Sequence, residues 1–359
     1  MIKQLGFLDE DNRLDRLSKL GDALEKLGAA VDFEFFRPVL NSIFANVEKD
    51  ESKGGRPPLD FVLMFKILIL QQMYNIADDR TEYLINDRLS FQRFLGLTLS
   101  SKVPDAKTIW LFRDTLTKSG REKELFDLFN ERLSGEGIIT RKGSIVDATF
   151  VDVPRQRNTR TQNQEIKEGK IPQEWQGDDK KSKNTLAQKD TDARWAKKGN
   201  ETHYGYKDHV KIDADSKVIV TCKVTDASVH DSQTIVDLLD DKDELVSADS
   251  AYVGAELEKE IRAKLDDEEK DKKVELRINE KGYRNRPLTD EQKASNREKS
   301  RIRARVEHVF GHMTNSMGGI SVRAVSKARA TTSIMLKNLA YNVNRFAFLF
   351  RSKKLQAIS

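Results

Sequence analysis

The sequence predicts an α/β domain, a mixed five-stranded sheet with helices on its faces, preceded by an all-helical region. Three observations carry this reading. Apolar residues recur at three- and four-residue steps up to about position 133, and at two-residue steps after Gly135-Glu-Gly137. Five strand-like runs follow, near 143–151, 204–212, 217–225, 245–252 and 274–279. The first three stand in hairpin order and the last two alternate with helical stretches, so antiparallel strands are extended by parallel ones through helical crossovers. That order makes the first and fourth strands neighbours at the sheet centre and sets Asp147 opposite Asp249.

The helical region opens with Leu14, Leu17, Leu20, Leu24 and Leu27, and repeats the spacing in Phe36, Val39, Leu40, Ile43 and Phe44. The first series reads as core or as an interaction stripe. Lys53-Gly-Gly-Arg-Pro-Pro58 is a breaker, followed by a buried helix over Asp60–Tyr74 and another over Asp79–Leu95. Asp105 is placed to cap a helix over 105–118. These last two helices read as a plain hairpin or as a helix-turn-helix, in which Lys107, Thr108 and Arg113 contact DNA while Trp110 and Phe112 pack. A helix over Glu122–Leu133 precedes the boundary, giving a domain over 1–137, a second over 138–350 and a basic tail over 351–359.

In the second domain Ile145, Val146, Phe150 and Val151 fit a buried strand, so an ionised Asp147 among them needs hydrogen bonds or a cation to offset desolvation. Residues 155–199 are polar, with Ile171, Trp175, Leu186 and Trp195 almost their only large apolar side chains. They are expected as an exposed or partly disordered insertion, which the tryptophans pin to the body or which uses them to stack on bases. Asp213-Ala-Asp-Ser216 reads as a hairpin turn and Cys222 as a buried strand residue. Helices are expected over Asp231–Leu239, Gly254–Leu265, 290–314 and 328–350, with His230-Asp231 as a cap or as support behind the carboxylates.

The 359 residues carry a formal charge of +5 and 34% charged side chains, and no apolar run is long enough to span a membrane. One cysteine excludes an intrachain disulfide framework and a cysteine-built zinc site. The first residues do not read as a signal peptide, so the cytoplasm is the expected compartment. Charge is unevenly spread: Arg155–Gly199 has twelve basic against seven acidic residues and Lys281–Arg305 nine against three, whereas Asp240–Glu275 has seven against fourteen. Basic blocks flanking acidic groups suit a polyanion, or else form a solvated surface.

Asp249 repeats the setting of Asp147, at the end of Leu245-Val-Ser-Ala. Glu307 lies beside the apolar stripe Ile302, Val306, Val309 and Met313, with Arg303 one turn earlier on its own face. Asp147, Asp249 and Glu307 together can hold two divalent ions roughly 4 Å apart for in-line phosphoryl displacement. An all-carboxylate set suits Mg²⁺ or Mn²⁺. Taken alone, Arg303 and Glu307 also read as an ordinary ion pair on a helix surface. Lys207, Lys211, Arg301, Arg303 and Arg305 are the expected DNA-backbone contacts.

Gly143-Ser-Ile-Val-Asp-Ala-Thr149, Lys198-Gly-Asn200 with His203-Tyr-Gly-Tyr-Lys-Asp-His209, Val246-Ser-Ala-Asp-Ser-Ala-Tyr252 with Gly254, and Ile302-Arg-Ala-Arg-Val-Glu-His308 resemble the blocks of bacterial insertion-sequence transposases of the DDE type, and of their insertion-sequence-five family in particular. Arg56-Pro-Pro58 and Val103-Pro-Asp-Ala-Lys-Thr108 resemble that family's helical N-terminal region. The resemblance implies an RNase H-like catalytic domain with Asp147, Asp249 and Glu307 as its triad. It implies metal-dependent nicking of terminal inverted repeats, transfer of the 3′-hydroxyl into target DNA, and a nucleoid-associated enzyme. Chemistry at two ends makes a homodimer or larger assembly the expectation. Related families place Tyr three residues before the Arg and Lys seven after the Glu; this chain has Ser300 and Thr314 there, so no hairpin step is carried over. A nuclease or resolvase of the same fold, and a non-catalytic DNA-binding derivative, are the alternatives.

Overall fold

The computed structural model describes residues 9–44, 59–266, 273–283 and 285–356; the breaker at 53–58 lies outside them. The chain forms two compact units, one from the stretch up to Leu128 together with that from Leu339 onward, the other from Phe129 to Asn338.

The first unit is helical. Helices α1 (Asp9–Leu20), α2 (Ala23–Ala30), α3 (Arg37–Phe44), α4 (Phe61–Tyr74), α5 (Asp78–Asp87), α6 (Leu89–Leu95) and α7 (Ala106–Ser119) follow in order, and α8 (Glu122–Gly135) begins in it. The single helix expected over 79–95 is two, because Arg88 adopts an extended conformation (φ −108°, ψ 112°). Helix α4 is buried nearly all round, and aromatic pairs fill the space about it: Phe36 on Phe65 (4.9 Å between ring centres), Phe33 edge-on to Phe94 (5.5 Å) and Phe44 stacked on Phe112 (4.1 Å). The leucine series splits, with Leu24 and Leu27 in the core and Leu20 exposed.

The second unit is built on a six-stranded mixed sheet, one strand more than the sequence suggests. Its strands are β1 (Ser144–Asp152), β2 (Arg194–Lys198), β3 (Glu201–Asp213), β4 (Ile219–Asp226), β5 (Leu245–Ala248) and β6 (Glu275–Ile278), in the order β2-β3-β1-β5-β6 with β4 also on β3. The extra strand is β2, which the polar composition of the insertion conceals. That insertion also holds two short helices, α9 (Arg160–Lys167) and α10 (Lys180–Ala187). Beside the β2–β3 pairing and the packing of Ala193 with Val151 and Tyr206, a buried carboxylate fastens it. Asp190 accepts from the Tyr206 hydroxyl (2.8 Å), Ala193 N (3.0 Å) and Ser326 N (3.1 Å).

Strand β1 pairs antiparallel with β3 and parallel with β5, Ser144 lying opposite Val246 and Ile145 opposite Ser247. Side chains alternate between two faces. Ile145, Asp147, Thr149 and Val151 share the front with Tyr206, Asp208, Val210 and Ile212; Ser144, Val146, Ala148 and Phe150 share the back with Lys207, His209, Lys211 and Asp213. Helices α11 (Ile235–Leu238) and α12 (Ala255–Leu265) cover the back through Ile235, Leu238, Ile261 and Leu265, packed on Val146, Val246 and Ala248. On the front lies α13 (Asp290–Asn315), with Val306, Val309 and Met313 fully buried. It is joined by the first turns of α14 (Lys327–Gln356), where Ala330 and Ile334 pack on Val151 and Tyr206.

Candidate active site

Three carboxylates from three separate elements meet on the front of the sheet. Two residues beyond the last paired positions of β1 and β5, Asp147 and Asp249 fall at the same level on the same face. Each is tied at one oxygen by a backbone N–H: Asp147 Oδ1 accepts from Ala148 N (2.8 Å), Asp249 Oδ1 from Ala251 N (2.7 Å). Glu307 comes from α13, laid on this face by the apolar stripe beside it. Arg303, one turn earlier, donates from Nη1 to Asp147 Oδ2 (3.0 Å) and from Nη2 to Glu307 Oε1 (3.2 Å). A cation thus sits between two of the three acids. Asp249 has no cationic partner among the described residues.

The acids outweigh the base. Burial, joined by the nearby charge of Asp249, raises the Asp147 carboxyl to about 6, against the lowering effect of the Ala148 N–H, Arg303 and Lys198. The Nε of Arg303 is buried without an acceptor, so this guanidinium is held by its ends alone. Oxygen donors only, short of positive charge, fit a hard divalent cation better than any other group. Among the described residues no three such side chains are drawn close enough to hold an ion as they stand, and the Arg303 guanidinium bridges Asp147 and Glu307.

The other expected contacts are placed unequally. Lys107 is exposed, Thr108 half-buried and Arg301 exposed, and Arg305, half-buried, donates from Nη1 to Ala214 O (2.8 Å) and Asp215 (3.1 Å). Arg113 lies in a paired cluster with both Asp78 oxygens (2.7 Å each) and Gln71 Oε1 (3.0 Å). Asp105 caps α7 as expected, accepting from Thr108 N (2.7 Å), and Phe112 packs, while Trp110 is partly exposed. Lys207 and Lys211 need correction. Both point to the back of the sheet, where Lys207 donates to Asp231 (2.8 Å) and Lys211, fully buried, to Asp240 (2.9 Å) and Asp243 (2.8 Å). Neither presents its charge to a phosphate. His230 caps the turn 231–233, its Nδ1 accepting from Ser232 N. Cys222 is half-buried.

Sequence reasoning gave Lys198 no role of its own, although its Lys198-Gly-Asn200 block was noticed; its charge acts on Asp147 from exposed β2. The two tryptophans of the insertion differ. Trp175 is buried, with the Lys189 ammonium of the same insertion 5.1 Å from its ring centre. Trp195 is 44% exposed, leans on Tyr204 (4.8 Å) and carries Arg155 5.5 Å from its ring centre. It borders a cleft of about 660 Å³ shared with Arg160, Asn163, Lys167 and Arg194.

No described helix is long and apolar enough to cross a membrane. A solved structure of a piggyBac transposase synaptic complex with hairpin DNA is similar at a TM-score of 0.45 and 11% identity, over 90% of this chain and 75% of that one. The family model for a transposase domain matches residues 12–115. That for the transposase DDE domain matches residues 139–343, more than half of the chain and the whole of the sheet that brings the three carboxylates together. With both models matched in order along one sequence, the chain belongs to the DDE transposases, enzymes that act on DNA.

Proposed function

We propose that the chain nicks the ends of an insertion sequence and transfers the freed 3′-hydroxyl into target DNA, using Asp147, Asp249 and Glu307 as ligands for two divalent ions. The observation that carries this reading is the bridge from Arg303 to Asp147 and Glu307, with Asp249 beside it lacking a cation of its own among the described residues. Acids from three elements gathered on a partly buried face cost folding free energy unless a cation compensates. Mg²⁺ or Mn²⁺ bound there would supply activation of a water or 3′-hydroxyl and neutralisation of the leaving oxygen. The chain's own share is positioning. Ala148 N and Ala251 N fix the carboxylate rotamers. Were a metal ion to take its place between the carboxylates, Arg303 would be in reach to steady Glu307 or a phosphate oxygen.

DNA contact is proposed at Lys107, Thr108 and Arg301, with Trp195 stacking on a base beside Arg155. Two ends call for two copies, so a homodimer or larger assembly on DNA is part of the proposal. The test is a labelled duplex carrying the element's own end, a plasmid target and Mg²⁺, scored for nicks and joined product. Joined product that vanishes with Asp249→Asn supports the reading. Nicks without joining favour a nuclease, and tight binding without either product in Mg²⁺ or Mn²⁺ overturns catalysis.

A further inference from the structure

Helix α13 has two polar flanks, and only one belongs to the carboxylate centre. Arg303 and Glu307 lie on one side of the buried stripe of Val306, Val309 and Met313. Arg301, Arg305 and His308, spaced by four and three residues, lie on the other. There they line a concavity of about 630 Å³ with Lys217, Glu298, Ile302 and Ala304. Lys217 Nζ stands 2.9 Å from His308 Nδ1, joining the β3–β4 turn to the helix. Arg305 does the same through Ala214 O and Asp215. Arg301 is exposed and has no ion pair among the described residues. Glu298 is the acid among the lining residues.

The backbone under Lys217 is the more telling feature. Its φ is +60°, a left-handed conformation that Gly adopts freely and a long side chain seldom does. Asp213 enforces this turn, accepting from Ser216 N (2.8 Å), Ser216 Oγ (2.8 Å), Thr140 N (3.0 Å) and Arg141 N (2.9 Å). A lysine kept where glycine is easier has its ammonium aimed, at some conformational cost, into a basic concavity.

Resting on the reading of the chain as a transposase, we infer that Lys217, Arg301, Arg305 and His308 bind the phosphodiester backbone of duplex DNA on the flank of α13 turned away from Asp147. Anisotropy of a labelled duplex is measured across a salt series without divalent metal, so the result does not depend on catalysis. One duplex carries the element's end; the other is unrelated and of equal length. Lys217→Gly keeps the turn and removes the ammonium; Arg301→Gln removes the unpaired guanidinium. Each is expected to weaken binding several-fold and to flatten the dependence of log K on log salt by about 0.9 per lost phosphate contact. The melting temperature of Lys217→Gly should hold or rise. Lys123→Gln, at an exposed lysine already paired with Asp127, should leave both readings at wild type. A loss confined to the end duplex assigns the surface to the element, one confined to the unrelated duplex to the target, and a loss in both to backbone in general. Wild-type affinity and slope in both variants on both duplexes overturn the inference, as does a wild-type protein that binds neither.

Discussion

The two faces of the β1–β3 pair both bury charged side chains and treat them in different ways. On the back, both lysines have counterions. Lys211 bridges Asp240 and Asp243, Arg141 holds Asp240 with both oxygens at 3.0 Å, Lys207 pairs with Asp231, and Ser144 donates to Asp243. On the front, Asp147 and Glu307 share the guanidinium of Arg303, Asp249 has no cationic partner among the described residues, and the Asp147 carboxyl is raised. Burial of charge is therefore not the signal of a site. A closed ion pair network spends its lysines on structure, and only the face left short of positive charge has something further to bind.

The largest expected effect breaks the front and spares the fold. Asp147→Asn should lower end nicking in Mg²⁺ on the order of 10³-fold or more if, as proposed, this carboxylate is a ligand of the ion the chemistry uses. It also neutralises a carboxyl whose burial is unfavourable, so chemical denaturation should show unchanged or raised stability. A variant that loses activity because it unfolds refutes the division between the faces. The back should answer in reverse. Lys211→Met leaves Asp243, 1% exposed, without its cation, at a cost of about 3–5 kcal/mol in unfolding free energy. A melting temperature within a degree or two of wild type would show that the network is not what holds this face.

Much of this was legible beforehand because it follows from periodicity. The order of strands and helices placed Asp147 and Asp249 on adjacent strands, and the stripe beside Glu307 placed α13 on the sheet. The sign of a strand position was not legible. Lys207 and Lys211 alternate with Asp208 and Val210, and nothing local says which set meets solvent when both faces are covered. Strand β2 was hidden for a related reason. Its Arg-Trp-Ala-Lys-Lys gains its place from pairing with β3 and from Asp190 nearby, not from apolar alternation of its own. The paired state of Arg113 was equally invisible, since Asp78 lies 35 positions away.

The smallest effect concerns neighbours that point to opposite faces. On the front, burial raises Asp208 from an ordinary 3.8 to about 7, despite a hydrogen bond from Asn338 Nδ2 (3.2 Å). On the back, burial chiefly lowers His209 from 6.5 to about 4, its ring set between the hydroxyls of Thr225 (2.8 Å) and Thr234 (3.1 Å). Between pH 4 and 6.5 the folded chain holds a proton at Asp208 that the unfolded chain has released, so this group's contribution falls as pH rises toward 7. Over the same interval the folded chain lacks a proton at His209 that the unfolded chain binds, so that contribution falls as pH drops toward 4. The slopes oppose and largely cancel in the wild type. Asp208→Asn should expose the histidine's slope, with stability relative to wild type rising by up to about 3 kcal/mol from pH 4 to 6.5, and His209→Gln should expose the opposite slope at similar size. Urea unfolding of the three proteins at pH 4, 5 and 6.5 reads both as differences from wild type, in which every other titrating group drops out. Parallel curves for all three would mean that neither side chain is as dry as its face makes it, and that the two faces differ in pairing alone.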